Sequence, residues 1–200
     1  MKKLNALIVI LVSLLLVAPG CRQPAEESGT TWAVIAEGDM GPEQMAQREK
    51  ALAARDAMFT SLKRRLTKVI GSEGPAAAIS VCSKEAPQIA EEISQAHGLE
   101  IRRTSFRLRN TDNTPPTWAA PLVADRVSGP TYLTQDGKLA ALLPIRVQAP
   151  CLVCHGSEDT IPSPVKEALS EHYPKDQATG FQDGDLRGWF SVEVPAPDGS

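Results

Sequence analysis

The chain has 200 residues, of which 42% are hydrophobic and 22% charged, with a net charge of −3 at neutral pH. That mildly acidic balance excludes the basic surface a nucleic-acid partner requires. It leaves enough apolar sequence for one domain with its own core.

The chain starts with the basic Met1-Lys2-Lys3 and continues from Leu4 to Ala18 almost without a polar residue, Asn5 and Ser13 excepted. The run suits a signal-peptide core and is short for a membrane span, which needs about 20 apolar residues. Cys21, directly after Ala18-Pro19-Gly20, resembles the lipidated cysteine of bacterial lipoprotein signals, although Leu is more usual where Ala18 stands and Pro19 is unusual. The expectation is a signal peptide over residues 1–20 and lipidation of Cys21. Ordinary cleavage nearby and an uncleaved anchor are the alternatives, and all three imply export. Loss of residues 1–20 removes Lys2 and Lys3, leaving 19 basic against 24 acidic residues, a net of −5. Arg22, following the cysteine, lacks the acidic character associated with inner-membrane retention. The reading is therefore the periplasmic side of a bacterial membrane, with a lean to the outer one.

Residues 21–44, rich in Gln, Pro, Glu, Ser and Gly, read as a flexible tether, with Trp32, Val34 and Ile35 as a short docking segment; residues 45–200 form the domain. A long helix is predicted from Glu43 to Ile70 by Met58, Leu62, Leu66 and Val69 at helical spacing. Gly71 to Pro75 breaks it. A second helix runs from Pro75 to His97, with Gly98 as its left-handed stop. Its apolar stripe is Ile79, Cys82, Ala86, Ile89 and Ile93, and Pro87 is placed to kink it. Glu100–Leu108 alternates like a strand, and 110–116 is a turn-rich loop. Strands 131–134 and 138–147 flank Gln135-Asp136-Gly137, a hairpin signal. A helix over 164–173 and a strand over 186–194 follow. Helices first and antiparallel strands after them define an α+β class.

Four cysteines are present. With Cys21 assigned to the signal, Cys82, Cys151 and Cys154 remain, an odd number that does not form a disulfide framework. Cys151-Leu152-Val153-Cys154-His155 is the spacing of c-type haem attachment. Two thiols bond the porphyrin's vinyl groups, and the adjacent histidine reaches the iron. The expected cofactor is one covalent haem c, with Cys151 and Cys154 as attachment points and His155 as a metal ligand. Three other readings compete. A thioredoxin-like dithiol needs a helix start, which Pro150 and Gly156 oppose; a zinc site needs a second knuckle; a plain disulfide is the third. The second axial position is open among Cys82, His97, His172, Met40, Met45 and Met58. His97 and His172 end helices, where a cationic ring meets the dipole. Cys82 is either a small buried hydrophobe or a ligand. Arg102, Arg103, Arg107 and Arg109 lie close together without an acid. Alternation places Arg103, Arg107 and Arg109 on one face, and haem propionates need such partners, so Arg103 and Arg107 are candidate cofactor contacts.

Four ordered segments carry a family resemblance: Ala78 to Pro87; Arg103 to Asn110 with Asn113-Thr114-Pro115; Cys151 to Gly156; and Tyr173 to Phe181 with Gly184 to Gly188. Together, over about residues 45–195, they resemble the single-haem c-type cytochrome domain with a PAS-like fold, long catalogued as a domain of unknown function. The resemblance implies a PAS-like antiparallel sheet with long N-terminal helices, and axial ligation by His155 and Cys82. Trp118 departs from the family, which commonly carries acidic residues near that aromatic. The function expected is a redox or small-ligand sensor acting through a labile Cys82 bond. An electron carrier and a peroxidase-like enzyme are the alternatives. The partners expected are the membrane, through a lipid, and an unidentified redox or signalling protein.

Overall fold

The computed structural model describes residues 31–197. The signal peptide and Cys21 lie outside them. Among the described residues no helix is long and apolar enough to cross a membrane. Five strands form one antiparallel sheet: β1 (Ala33–Ile35), β2 (Glu100–Thr104), β3 (Thr131–Gln135), β4 (Lys138–Arg146) and β5 (Leu186–Val194), in the order β1-β3-β4-β5-β2. The helices are α1 (Pro42–Glu73), α2 (Ala78–Ser80), α3 (Ala86–His97), α4 (Ala120–Ala124), α5 (Leu152–His155) and α6 (Ser163–His172). The class is α+β as expected, and the arrangement is consistent with a PAS-like fold.

Both sheet faces are covered. Ile101, Leu139, Ala141, Leu143, Phe190 and Val192 pack with Ala51, Ala54 and Met58 of α1. The small Ala51 and Ala54, fully buried, let the helix backbone lie close to the sheet. On the other face Ala140, Leu142 and Trp189 meet Trp118, Ala119 and Val123. Burial on both sides explains why β4 reads Leu139-Ala140-Ala141-Leu142-Leu143 without alternation. At 32 residues, α1 is about 48 Å long, longer than the sheet it covers. Its second half runs past the core, and Phe59, Leu62, Leu66 and Ile70 face a cavity instead.

The β3–β4 hairpin turns on Asp136 and Gly137, both at positive φ (49° and 74°). That is the geometry a two-residue turn needs to match strand twist, so the local signal determined it. Gly98, at φ 56°, ends α3 as expected. Three elements differ from the sequence reading. Residues 33–35, placed in the tether, pair with β3 as an edge strand, so the ordered fold begins before residue 45. The second helix is not uniform: Val81–Glu85 widens into a π turn between α2 and α3. Pro87 has no N–H to donate one turn back, and a wider turn accommodates that loss. Finally, β2 stops at Thr104 rather than Leu108. The Ser105 hydroxyl donates to the Arg187 carbonyl (2.7 Å) and accepts from Arg107 N–H (3.0 Å), turning the chain off the ladder.

Candidate functional site

The Cys-x-x-Cys-His segment starts in a 3₁₀ turn (Ala149–Cys151) and continues into the one-turn α5. It is therefore helical, with Pro150 admitted where an N–H has no partner. The loop after α6 straps it down. Gly180 N–H donates to the Gly156 carbonyl (2.6 Å), Phe181 N–H to the His155 carbonyl (2.9 Å), and Gln177 N–H to the Leu108 carbonyl (2.9 Å). This loop joins the motif to the arginine-bearing segment after β2.

A cavity of about 410 Å³ opens between the second half of α1, the π turn, the end of the sheet and α5. That is within the range of roughly 300–1,000 Å³ usual for cofactor and ligand sites. Cys82, Cys151, Cys154 and His155 all line it. Cys82 and Cys154 pack into one apolar cluster with Ile79, Val165 and Tyr173. All three cysteines are free thiols.

His155 Nδ1 lies 2.7 Å from the Ala178 carbonyl. A carbonyl only accepts, so Nδ1 carries the proton and Nε2 keeps the lone pair. Arg187 Nε, 3.3 Å from the same Nδ1, has no acceptor there and acts as a neighbouring positive charge. Burial, then Arg109 and Arg187, hold the imidazole well below its ordinary pKa. It is a neutral ring with one free nitrogen, the form that ligates metals. Burial pushes the Cys154 thiol up to about 11 and the Cys82 thiol up as well. The motif does begin a helical turn, so the argument from Pro150 and Gly156 against a helix start does not hold. The zinc reading lacks support, since no group of three or more candidate ligands occurs among the described residues.

The arginines divide into different roles. Arg103, Arg109 and Arg187 line the cavity. Arg109 pairs with Asp176 (3.0 Å). Arg187 donates to Ser105 Oγ (3.0 Å) and the Arg107 carbonyl (3.2 Å) but pairs with no carboxylate among the described residues. Burial, with Arg109 and Arg103 adding repulsion, drops its pKa from 12.5 to about 10. Arg103 lines the wall without a carboxylate partner among the described residues. Arg107 does not line the cavity. Its guanidinium donates to the carbonyls of Gln177 (2.8 Å) and Thr179 and stacks on Phe181. The strand alternation that placed it beside Arg103 ends at Ser105, which is why it points elsewhere. Arg187 escaped the sequence reading, standing in an ordinary strand; its one signal was the Arg187-Gly188 pair in the last resembling segment. Gly188 is required there: at φ 156°, an added Cβ would press on the Thr104 carbonyl and sit 3.0 Å from Ser105 Cβ. His97 and Met45 do not line the cavity, and Met58 is core.

An apolar body with anionic substituents fits this lining. Leu62, Leu66, Ile79 and Phe190 supply apolar wall, three thiols and the His155 imidazole line it, and of its four arginines Arg103, Arg146 and Arg187 have no carboxylate partner among the described residues. Fold and site thus define an α+β domain whose sheet and long helix border an arginine-rimmed apolar cavity, lined by Cys-x-x-Cys-His and by a third cysteine. The chain belongs to the Tll0287-like family, whose model matches residues 36–195. Among solved structures it is similar to that of the cyanobacterial heme-protein Tll0287, with 28% identity and a TM-score of 0.56, over 78% of this chain and 97% of that one. No curated protein matches.

Proposed function

We propose that this chain is an exported, membrane-tethered c-type haem protein that reports redox state or a small ligand through a labile cysteine ligand. The observation that carries the reading is the meeting of Cys82, Cys151, Cys154 and His155 in one arginine-lined apolar cavity. The heme-protein character of the similar solved structure supports it. Cys151 and Cys154 would hold the group by thioether bonds, and His155 would ligate through Nε2, since Nδ1–H is committed to Ala178. Cys82 would ligate from the π turn. Arg103 and Arg187 would meet the propionates, answering their missing counter-charges. A lipid on Cys21 would tether the domain at the periplasmic face, and a protein partner would receive the signal.

A bound haem supplies a one-electron centre and, with an axial position open, a binding site for a small ligand. The protein decides whether that position opens. Cys82 would hold the group as a thiolate, an electron-rich donor that favours an oxidised centre. Burial pushes its thiol up, which favours the protonated form of an unligated Cys82, and a thiol is a poor ligand. Because Cys82 stands in the π turn, a change in its ligation would be felt by the helix that carries it.

Absorption and electron paramagnetic resonance spectra of the oxidised protein, with and without Cys82→Ala, test this. A thiolate signature lost in the variant is expected; an unchanged oxidised spectrum refutes Cys82 ligation. Electron transfer is the second reading, favoured by Phe59 and Ile70, which line the cavity while 37% and 36% exposed and so mark an open edge. Carbon monoxide separates the two. Rapid binding to the reduced protein fits a labile Cys82, and refusal fits a carrier that keeps both axial bonds.

A further inference from the structure

We propose that Asp176 and Arg109 form a positioning pair that sets the hydrogen bond of the histidine ligand through the Ala178 carbonyl. The inference rests on the haem reading above and extends it to Asp176, which does not line the cavity.

Both Asp176 oxygens and two of the Arg109 nitrogens are committed. Asp176 Oδ1 accepts from Ala178 N–H at 2.7 Å, and Oδ2 accepts from Arg109 Nε–H at 3.0 Å. Arg109 Nη2 donates to the Cys154 carbonyl at 2.6 Å and to the Ala178 carbonyl at 3.1 Å. The Ala178 carbonyl is also the acceptor of His155 Nδ1–H at 2.7 Å. Asp176 thus fixes the N–H of Ala178, Arg109 shares its carbonyl, and Arg109 holds the residue before His155 as well. The two side chains are only 6% and 10% exposed. A buried ion pair is an expensive way to gain stability, and apolar replacements often serve as well. Its retention here is explained by what it aims at.

The pair acts on the ring in two ways. Geometrically, it fixes the direction from which the carbonyl receives the Nδ1 proton, and so the rotation of the imidazole. Electronically, a carbonyl that also accepts from a guanidinium is a weaker acceptor for histidine. His155 therefore stays close to a neutral imidazole and gives less charge to a metal than a carboxylate-partnered histidine would. The two partners must then have opposite effects. With Asp176→Asn, the uncompensated Arg109 leans on Ala178, weakens the histidine bond and adds positive field, so the midpoint potential rises. With Arg109→Gln, the carbonyl is left to His155 alone, the imidazole gains electron density, and the potential falls. The charge changes alone move the potential in these same senses, so the readout that a merely structural pair would not move is the iron–histidine vibration, which follows the strength of the Nδ1–H bond.

The test measures midpoint potential and the iron–histidine stretching vibration of the reduced full-length protein. Asp176→Asn is expected to raise the potential and lower the vibration, and Arg109→Gln to do the reverse. Arg109→Lys, which keeps the charge and loses the fork, should fall between Arg109→Gln and the native protein. If Asp176→Asn does not fold, Asp176→Ser makes the same charge change while retaining an acceptor for Ala178 N–H. Haem staining of the denatured chain separates the two claims. A stained native chain whose variants leave the vibration unmoved, or move it in one direction, overturns the positioning pair and leaves the haem reading standing. An unstained native chain overturns the haem reading and the pair with it.

Discussion

Replacing Arg187 by Met should stabilise the domain when it carries no cofactor. Arg187 is a cation in the cavity wall with no carboxylate in bonding distance among the described residues, and burial, with Arg109 and Arg103 outweighing the more distant Asp176, drops its pKa from 12.5 to about 10. At roughly 1.4 kcal/mol per pKa unit, the charged form is disfavoured by about 3 kcal/mol. Its bonds to Ser105 Oγ (3.0 Å) and the Arg107 carbonyl (3.2 Å) return about 1 kcal/mol each. The substitution therefore yields a net gain of about 1 kcal/mol, or roughly 2–4 °C in melting temperature for a domain of this size. The assay is thermal unfolding at neutral pH of chains in which Cys151→Ala and Cys154→Ala prevent attachment, with and without Arg187→Met. With attachment intact the same substitution should lower the midpoint potential, because a positive charge that favours the reduced centre is gone. The sign of the first result is decisive: a clearly lower melting temperature for Arg187→Met would mean that Arg187 is already compensated and that the cavity needs no anion.

Gly188→Ala should cost about 2–5 kcal/mol, from positive-φ strain and from overlap with the Thr104 carbonyl; urea unfolding reads it, and a loss under 1 kcal/mol contradicts the close approach of β5 to the end of β2. Acid should destabilise the cofactor-free chain through His155. Its folded pKa is well below the ordinary 6.5, so the unfolded chain binds the proton first and stability falls as pH drops below about 6.5, by up to about 1.4 kcal/mol per pH unit. His155→Phe should flatten that dependence between pH 6.5 and 5.5, and an unchanged slope would place the titration elsewhere. Arg107→Ala should lower stability by about 1–2 kcal/mol through its bonds to Gln177 and Thr179, leaving the absorption spectrum unaltered. Arg103→Gln should do the reverse, with stability within about 0.5 kcal/mol and the potential shifted down. Exchanged outcomes would restore the role that strand alternation assigns to Arg107.

The features legible in the sequence are those fixed by a few neighbouring residues. The spacing from Cys151 to His155, the Asp136-Gly137 turn, the Gly98 stop and the periodicity of α1 depend on local covalent geometry and backbone sterics, and each stands where its residues placed it. The reading failed where a contact far along the chain overrode local pattern. Alternation through Arg103, Arg107 and Arg109 was a sound strand signal. The Ser105 hydroxyl, bonded to a residue 82 positions away, ended the strand and sent Arg107 to the surface loop, leaving Arg109 with Asp176. Val34 and Ile35 looked like tether because three residues carry no period; only pairing with β3 makes them a strand. The π turn under Cys82, the exposure of Arg187 to the cavity and the shared Ala178 carbonyl likewise exist only in three dimensions. The sequence by itself determined which thiols and which imidazole are available to a cofactor. Tertiary structure decided which guanidinium groups surround them and which nitrogen of His155 is free, because charge and hydrogen bonding inside a cavity depend on distance in space rather than along the chain.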